Sequence, residues 1–410
     1  MKQYICTASL IGCSLVCYFL FQNIIDWNFG WERVPPATFS KKSDGVEDQL
    51  YMNESKKAEQ ELKEIHFNSN APAVSIAVSI QNKLVWSAAV GYQDIKNEIV
   101  ADTTTQFRIG STSKALTSLA LGKLIEKENV NIDSSLQFYT GRFLNHPKIT
   151  IRQLASHQSG IRNYSVCFCL PVWEYYRNKS FESVEASIAD FETDQLLFQP
   201  GDQFSYSSYN FTALSLAMEK ASGEMFTELM SHQVFRPLGM FHTQPDYKNR
   251  GRQLNKAVFY DIEEGKFKEA SEVDLSNKWA GGGFLSTPSD LVRAGNALLN
   301  DGFLSSRTIN QLTSPQKLNN GEINHQFYAL GWRHNTTDSY FGGKRKVEMI
   351  HHGGMAVGSQ SLLIVFPEYG LVISLLLNKT GQQGKFELFK WLKPIIEIFL
   401  ESIESKGLEK

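Results

Sequence analysis

Ser111 and Lys114 stand three residues apart in the stretch Phe107-Arg108-Ile109-Gly110-Ser111-Thr112-Ser113-Lys114-Ala115-Leu116-Thr117. Gly110 predicts a tight entry into a helix, and residues three apart on a helix share one side. The hydroxyl and the amine are therefore expected to point into one cavity. A serine hydroxyl becomes a useful nucleophile only when a neighbouring base takes its proton. A lysine serves as that base where burial or a nearby cation lowers its pKa. The helix N-terminus adds a backbone N–H and a favourable field for the oxyanion formed on attack. Ser-x-x-Lys by itself also describes a capped, solvated helix start, so the weight falls on whether the chain holds the other parts of such a site.

Such chemistry needs a second proton carrier for the leaving group. Pro200-Gly201-Asp202-Gln203-Phe204-Ser205-Tyr206-Ser207-Ser208 offers Tyr206 on a loop just ahead of a helix. A phenol close to ammonium-type donors is expected to have a lowered pKa. An extended substrate also needs a strand edge and a second oxyanion donor. His351-His352-Gly353-Gly354-Met355 fits, because glycines let a substrate approach the backbone closely. His157, in His157-Gln158-Ser159-Gly160, reads as a hydrogen-bonded structural histidine rather than a catalyst.

The elements that must position these groups follow from apolar periodicity. A short helix is expected over residues 59–67. Residues 73–80 and 84–90 alternate about Gln81-Asn82-Lys83 and predict a β-hairpin. The Ser111 helix is followed by a second helical region ending near Asn129. Residues 163–194, polar and aromatic, read as an insertion of helices and loops beside the site. A helix over 211–222 is ended by Gly223; Pro288-Ser289-Asp290 opens another, running to about residue 300. Two strand-like runs, 361–366 and 371–377, flank Pro367-Glu368-Tyr369-Gly370, and a last helix covers about 386–403. Strands at both ends with helices between predict an α/β sandwich whose sheet joins the beginning of the chain to its end. No internal repeat is evident.

The chain has 410 residues, 42% of them hydrophobic, enough for a large core. A formal net charge of −2, with Lys and Arg scattered, gives no support for a nucleic-acid partner. Of five cysteines, Cys6, Cys13 and Cys17 fall in the first apolar run, and Cys167 and Cys169 are two apart. Neither a disulfide framework nor a zinc spacing is implied, and no cofactor or metal is expected. Residues 5–25 are almost wholly apolar and long enough to span a bilayer. The domain reading is therefore a membrane anchor or signal over 1–26, a tether over 27–58 and a hydrolase domain over 59–405. Six N-x-S/T sequons, at Asn53, Asn163, Asn178, Asn210, Asn335 and Asn378, tip slightly towards a lumenal domain.

In order, F-R-I-G-S-T-S-K, I-R-Q-L-A-S-H-Q-S-G-I, P-G-D-Q-F-S-Y-S-S, G-G-G-F-L-S-T-P-S-D-L and H-G-G-M-A-V-G resemble the serine beta-lactamase and penicillin-binding-protein-like family, peptidase family S12. The resemblance covers residues 71–378. It implies an α/β (α+β) fold with a central antiparallel sheet flanked by helices, plus a helical region. It makes Ser111 the acyl-accepting nucleophile, Lys114 its base partner and Tyr206 a proton shuttle. His352 and Gly354 take the place of the lysine and last glycine of a K-T-G motif, and the N–H groups of Ser111 and Met355 form the oxyanion hole. Two departures matter. Ser208 stands where the family has asparagine, and His352 lacks a lysine's permanent charge. Both argue against efficient lactam hydrolysis and leave peptide, amide or ester substrates. Within the family the likeness runs to animal mitochondrial members, implying a mitochondrial location, a link to lipid metabolism and homo-oligomers or filaments, with catalysis vestigial as one alternative. A secretory-pathway location is another alternative.

Overall fold

Val74, Ile76, Val78 and Ile80 alternate with Ala73, Ser75, Ala77 and Ser79, so one strand presents a large apolar face and a small one. Both faces are covered, and every residue of the strand is buried. The computed structural model describes residues 30–33, 43–146, 148–164, 174–248, 255–263, 265–380 and 386–408. In chain order its central sheet consists of β1 (Ser43–Glu47), β2 (Ala73–Ile80), β3 (Lys83–Asp94), β4 (Arg333–Thr337), β5 (Val347–Ala356), β6 (Ser359–Phe366) and β7 (Leu371–Leu377). They lie side by side as β4-β5-β6-β7-β2-β3-β1, all antiparallel, with Ile99–Val100 added beside β3. The β7–β2 ladder, from Leu371↔Ile80 to Leu377↔Val74, joins the end of the chain to its beginning, as expected.

The helices that bear on the site are α1 (Met52–Ser69), α2 (Ser113–Glu126), α3 (Ser208–Ser222), α4 (Pro288–Asn296) and α5 (Leu388–Ser405). The large face of the sheet packs with Leu62 and Ile65 of α1 and Leu392, Ile396 and Phe399 of α5. The small face, with Ala73, Ala77, Leu363, Val365 and Val372, joins the core that holds α2, α3 and α4. Small residues there let α4 lie close: a Cβ on Gly295 would come 2.5 Å from Val372 Cγ1. Asn296 bonds across to Ser79 Oγ at 3.1 Å.

The hairpin turns on two residues, Gln81 and Asn82, with φ of 50° and 65°, and Lys83 already belongs to β3. Consecutive positive φ values match the right-handed twist of the flanking strands. Other boundaries differ from the sequence reading. The first helix begins at Met52, within the stretch read as a tether, because Tyr51, Ala58, Leu62 and Ile65 give it a buried stripe. Ser43–Glu47 pairs with β3, and Glu32–Arg33 pairs with Phe267 and Lys266. The Ser111 helix and the helical region after it are one helix, since residues 113–122 are buried throughout and no polar face divides them. Helix α4 stops at Asn296, whose carbonyl is capped by the Asn300 side chain at 3.3 Å.

The apolar run 5–25 and the five cysteines lie outside the described residues. Among those described, no helix is long and apolar enough to cross a membrane. Two of the sequon asparagines, Asn210 and Asn378, are fully buried and hydrogen-bonded, so they have no surface to modify.

Candidate active site

Residues Gly110–Thr112 form a 3-10 turn that runs directly into α2. The turn is clamped against β5. With Gly110 at φ 48°, an added Cβ would lie 2.5 Å from the Met355 carbonyl oxygen, and one on Gly354 would lie 1.9 Å from that of Ile109. Neither position admits a side chain. Ser361 Oγ donates to Ile109 O at 2.6 Å, and Thr112 Oγ1 donates to His352 O at 3.3 Å. On the other side, Ile109 N donates to Phe284 O at 3.0 Å. Ser111 therefore sits on a backbone fixed from two directions, with Met355 alongside.

The Lys114 side chain is wholly buried. Its Nζ lies 3.3 Å from Ser111 Oγ, 3.0 Å from Ser208 Oγ and 2.6 Å from the carbonyl oxygen of Gly281. Burial, and secondarily the Arg333 charge, pushes its pKa well below the ordinary 10.5. A neutral amine can donate to Gly281 and Ser208 and still accept the Ser111 proton. The rings of Tyr206 and Phe211 lie 4.8 and 5.5 Å from Nζ.

The Tyr206 loop is pinned to His157. Ser205 N donates to His157 O at 2.9 Å, Ser207 N donates to His157 Nδ1 at 3.2 Å, and the His157 and Tyr206 rings are 4.2 Å apart. His157 is fully buried and its protonation is disfavoured, first by burial and then by Lys114 and Arg333. It is a hydrogen-bonded structural histidine, as the sequence reading expected, and it holds the Tyr206 loop. The Tyr206 phenol bonds Ser111, but the expected lowering of its pKa is corrected: burial raises it, outweighing the Arg333 charge and the Ser111 bond. The ammonium that was to lower it is itself destabilised by the same dry cavity. Ser208, at the start of α3, takes the Lys114 amine on its Oγ, and its N–H donates to Asn163 Oδ1 at 2.8 Å.

His352 is fully buried on β5, with Nε2 3.0 Å from Tyr328 OH and Nδ1 2.7 Å from Gly353 O. Burial first, then Arg333 and Lys114, hold its pKa well below 6.5. It carries no charge at neutral pH. The charge stands one strand over. Arg333 of β4 pairs in register with His351, and its guanidinium lies 5.6 Å from the Tyr206 ring and 5.1 Å from the Tyr328 ring. Its Nη2 donates to Gln326 Oε1 at 2.8 Å rather than to a carboxylate.

All seven residues singled out from the sequence, Ser111, Lys114, Tyr206, Ser208, His352, Gly354 and Met355, converge here. Arg333, Tyr328 and Asn163 were missed. Arg333 reaches the site only through the β4–β5 register, and nothing in its local spacing announces that. Among the described residues, no group of three or more His, Cys, Asp or Glu side chains is placed to hold a metal ion.

A serine, a buried amine, a phenol and a glycine-bearing strand edge, set on a helix-flanked antiparallel sheet, define a serine hydrolase with the beta-lactamase fold. The chain belongs to the Beta-lactamase family, whose model matches residues 56–390. It is 30% identical over 382 residues to the "Serine beta-lactamase-like protein LACTB, mitochondrial" of Homo sapiens, covering 73% of this chain and 69% of that protein. It is 26% identical over 319 residues to "Protein flp" of Staphylococcus aureus (strain COL), covering 75% and 60% respectively. The fold is shared with the D-amino acid amidase from Ochrobactrum anthropi SV3, at a TM-score of 0.69 and 20% identity over 86% of this chain and 99% of that one. It is shared also with the octameric penicillin-binding protein homologue from Pyrococcus abyssi, at a TM-score of 0.67 and 20% identity over 86% and 77%.

Proposed function

We propose that this protein hydrolyses amides or peptides through an acyl-Ser111 intermediate. Lys114 takes the Ser111 proton as Oγ attacks the carbonyl, and the N–H groups of Ser111 and Met355 hold the oxyanion. Tyr206, hydrogen-bonded to Ser111, gives its phenol proton to the leaving amine and is reprotonated by the Lys114 ammonium, which returns both groups to their starting states. Water then attacks the acyl group by the reverse route. The observation that carries this reading is the burial of Lys114 Nζ 3.3 Å from Ser111 Oγ, with its charge disfavoured.

Arg333 supports an anionic group on the leaving side of the substrate. It supplies near Tyr206 the permanent charge that His352 does not. The relatives' mitochondrial names support a mitochondrial location, and the apolar run 5–25 supports a membrane tether on the same chain. An octameric neighbour of the same fold supports a homo-oligomer. The reading is tested by treating the protein with a fluorophosphonate and a fluorescent penicillin, then mapping adducts by mass spectrometry. An adduct on Ser111 that vanishes in Ser111→Ala is expected; a folded protein that takes neither label overturns it.

A further inference from the structure

The cavity beside Ser111, on the side away from Tyr206, is nearly closed. Tyr164, Tyr175, Leu275 and Val357 line it, and about 20 Å³ of room is left. That holds about one water. An acetyl methyl group is of similar size; a longer acyl chain does not fit. The roof is the 3-10 turn Glu174–Tyr176, none of whose residues is fully buried.

The turn is held by few and weak ties. Tyr175 and Tyr176 pack on Val273, Leu275 and Val357, a small buried cluster separate from the main core. Lys278 Nζ donates to the Tyr175 carbonyl oxygen at 3.0 Å. Arg162 donates to both Glu174 oxygens, at 2.8 and 3.0 Å, and to Asp194 at 2.6 Å. Partly exposed ion pairs stabilise little and are screened by salt. A satellite cluster opens locally at less cost than the core. The chain that follows is fastened more closely. The Arg177 carbonyl accepts from Asp274 N at 3.0 Å, Ser180 Oγ donates to Asp274 Oδ2 at 2.5 Å, and Phe181 N donates to Ser276 Oγ at 2.8 Å.

We infer that the Glu174–Tyr176 turn is a lid over the acyl side of Ser111, latched by Arg162–Glu174, and that it decides which acyl groups are accepted; the inference rests on the acyl-Ser111 reading above. The leaving group must meet Tyr206, which does not line this cavity, so the half retained on Ser111 faces the turn. Opening breaks the Arg162–Glu174 pair and the Lys278–Tyr175 bond. The ties at Asp274 and Ser276 stay, so the turn pivots at Arg177, which is also paired with Asp190. An acyl group too large for the closed cavity reacts at the intrinsic rate multiplied by the open fraction. A group that fits the closed cavity reacts at a rate that does not depend on that fraction.

The test uses two activated esters with one leaving group, p-nitrophenyl acetate and p-nitrophenyl phenylpropionate. It reads the p-nitrophenolate burst that reports Ser111 acylation and is absent in Ser111→Ala. Glu174→Gln keeps the side-chain volume and removes the latch charge. It should speed the phenylpropionyl burst at least about threefold and leave the acetyl burst within about twofold of the wild type. Raising NaCl from about 50 mM to about 1 M should raise the phenylpropionyl-to-acetyl ratio in the wild type and add little in Glu174→Gln. The wild-type salt series decides the matter should the variant not fold. A ratio unmoved by salt in the wild type, unmoved by Glu174→Gln, or moved equally by salt in both proteins overturns the inference and leaves the acyl-Ser111 reading intact. No burst with either ester on a folded protein overturns both.

Discussion

The two faces of the central sheet are used in opposite ways. Against α1 and α5, the buried residues are mostly apolar, with Ser55, His66, Ser69 and Ser402 the polar ones on these helices, and Trp86 packs 6.2 Å from Phe399. Against α2 and α3, the buried set includes Lys114, His157, Tyr328 and His352, whose ionisation burial opposes. One face lowers the free energy of the fold through area removed from water. The other gives some of that up to hold reactive groups dry and preorganised. The lesson is that burial has no single meaning. On one face it is stability, and on the other it is pKa control.

The comparison is tested most severely at Lys114. Lys114→Met keeps the volume and removes the base, so Ser111 acylation should slow by about 10²–10⁴-fold, read as the pseudo-first-order labelling rate. On the opposite face, Phe399→Ala should destabilise the protein by about 3–5 kcal/mol in denaturant unfolding. The folded fraction of that variant should still label Ser111 at the wild-type rate; a slowed rate would show that the faces are coupled.

Lys114→Met should also be more stable than the wild type at pH 7, by about 1–4 kcal/mol. Because the folded pKa lies below the unfolded 10.5, folding disfavours the proton. The penalty is absent above pH 10.5, grows as pH falls through that value and levels off below the folded pKa. The stability gain of the variant should therefore shrink as the pH approaches 10.5, and unfolding curves at pH 7 and pH 10 check it. The smallest effect is expected at Arg333. Arg333→Gln removes the repulsion that helps depress Lys114, so the labelling profile should move to higher pH and slow by about threefold to tenfold at pH 6.5.

Much of this was legible in the chain because local signals and tertiary roles coincide. Gly110 read as a tight helix entry and Gly354 as room for a substrate; the structure shows each packed against the other segment's backbone, Gly110 on Met355 and Gly354 on Ile109. The hairpin at Gln81-Asn82 and the paired strands 361–366 and 371–377 announced themselves by alternation. The parts that escaped are those set by register or by desolvation. Arg333 enters the site through its pairing opposite His351, across 18 residues of sequence that carry no motif. The direction of the Tyr206 shift was misjudged because charge was weighed without burial. The early start of α1 was hidden by the polar run Asn53-Glu54-Ser55, in which Ser55 is buried and Glu54 bonds Ser402 of α5.

The central claim is that Lys114 is the base for Ser111, its pKa held by burial well below that of an ordinary lysine. It is tested most directly by the pH dependence of fluorophosphonate labelling at Ser111. The account predicts a rate that rises through an inflection well below 10.5 and is already at its plateau in mildly alkaline solution, with both rate and inflection lost in Lys114→Met. A rate that keeps climbing through pH 10.5, as for an ordinary solvated lysine, or one that Lys114→Met leaves unchanged, would contradict it.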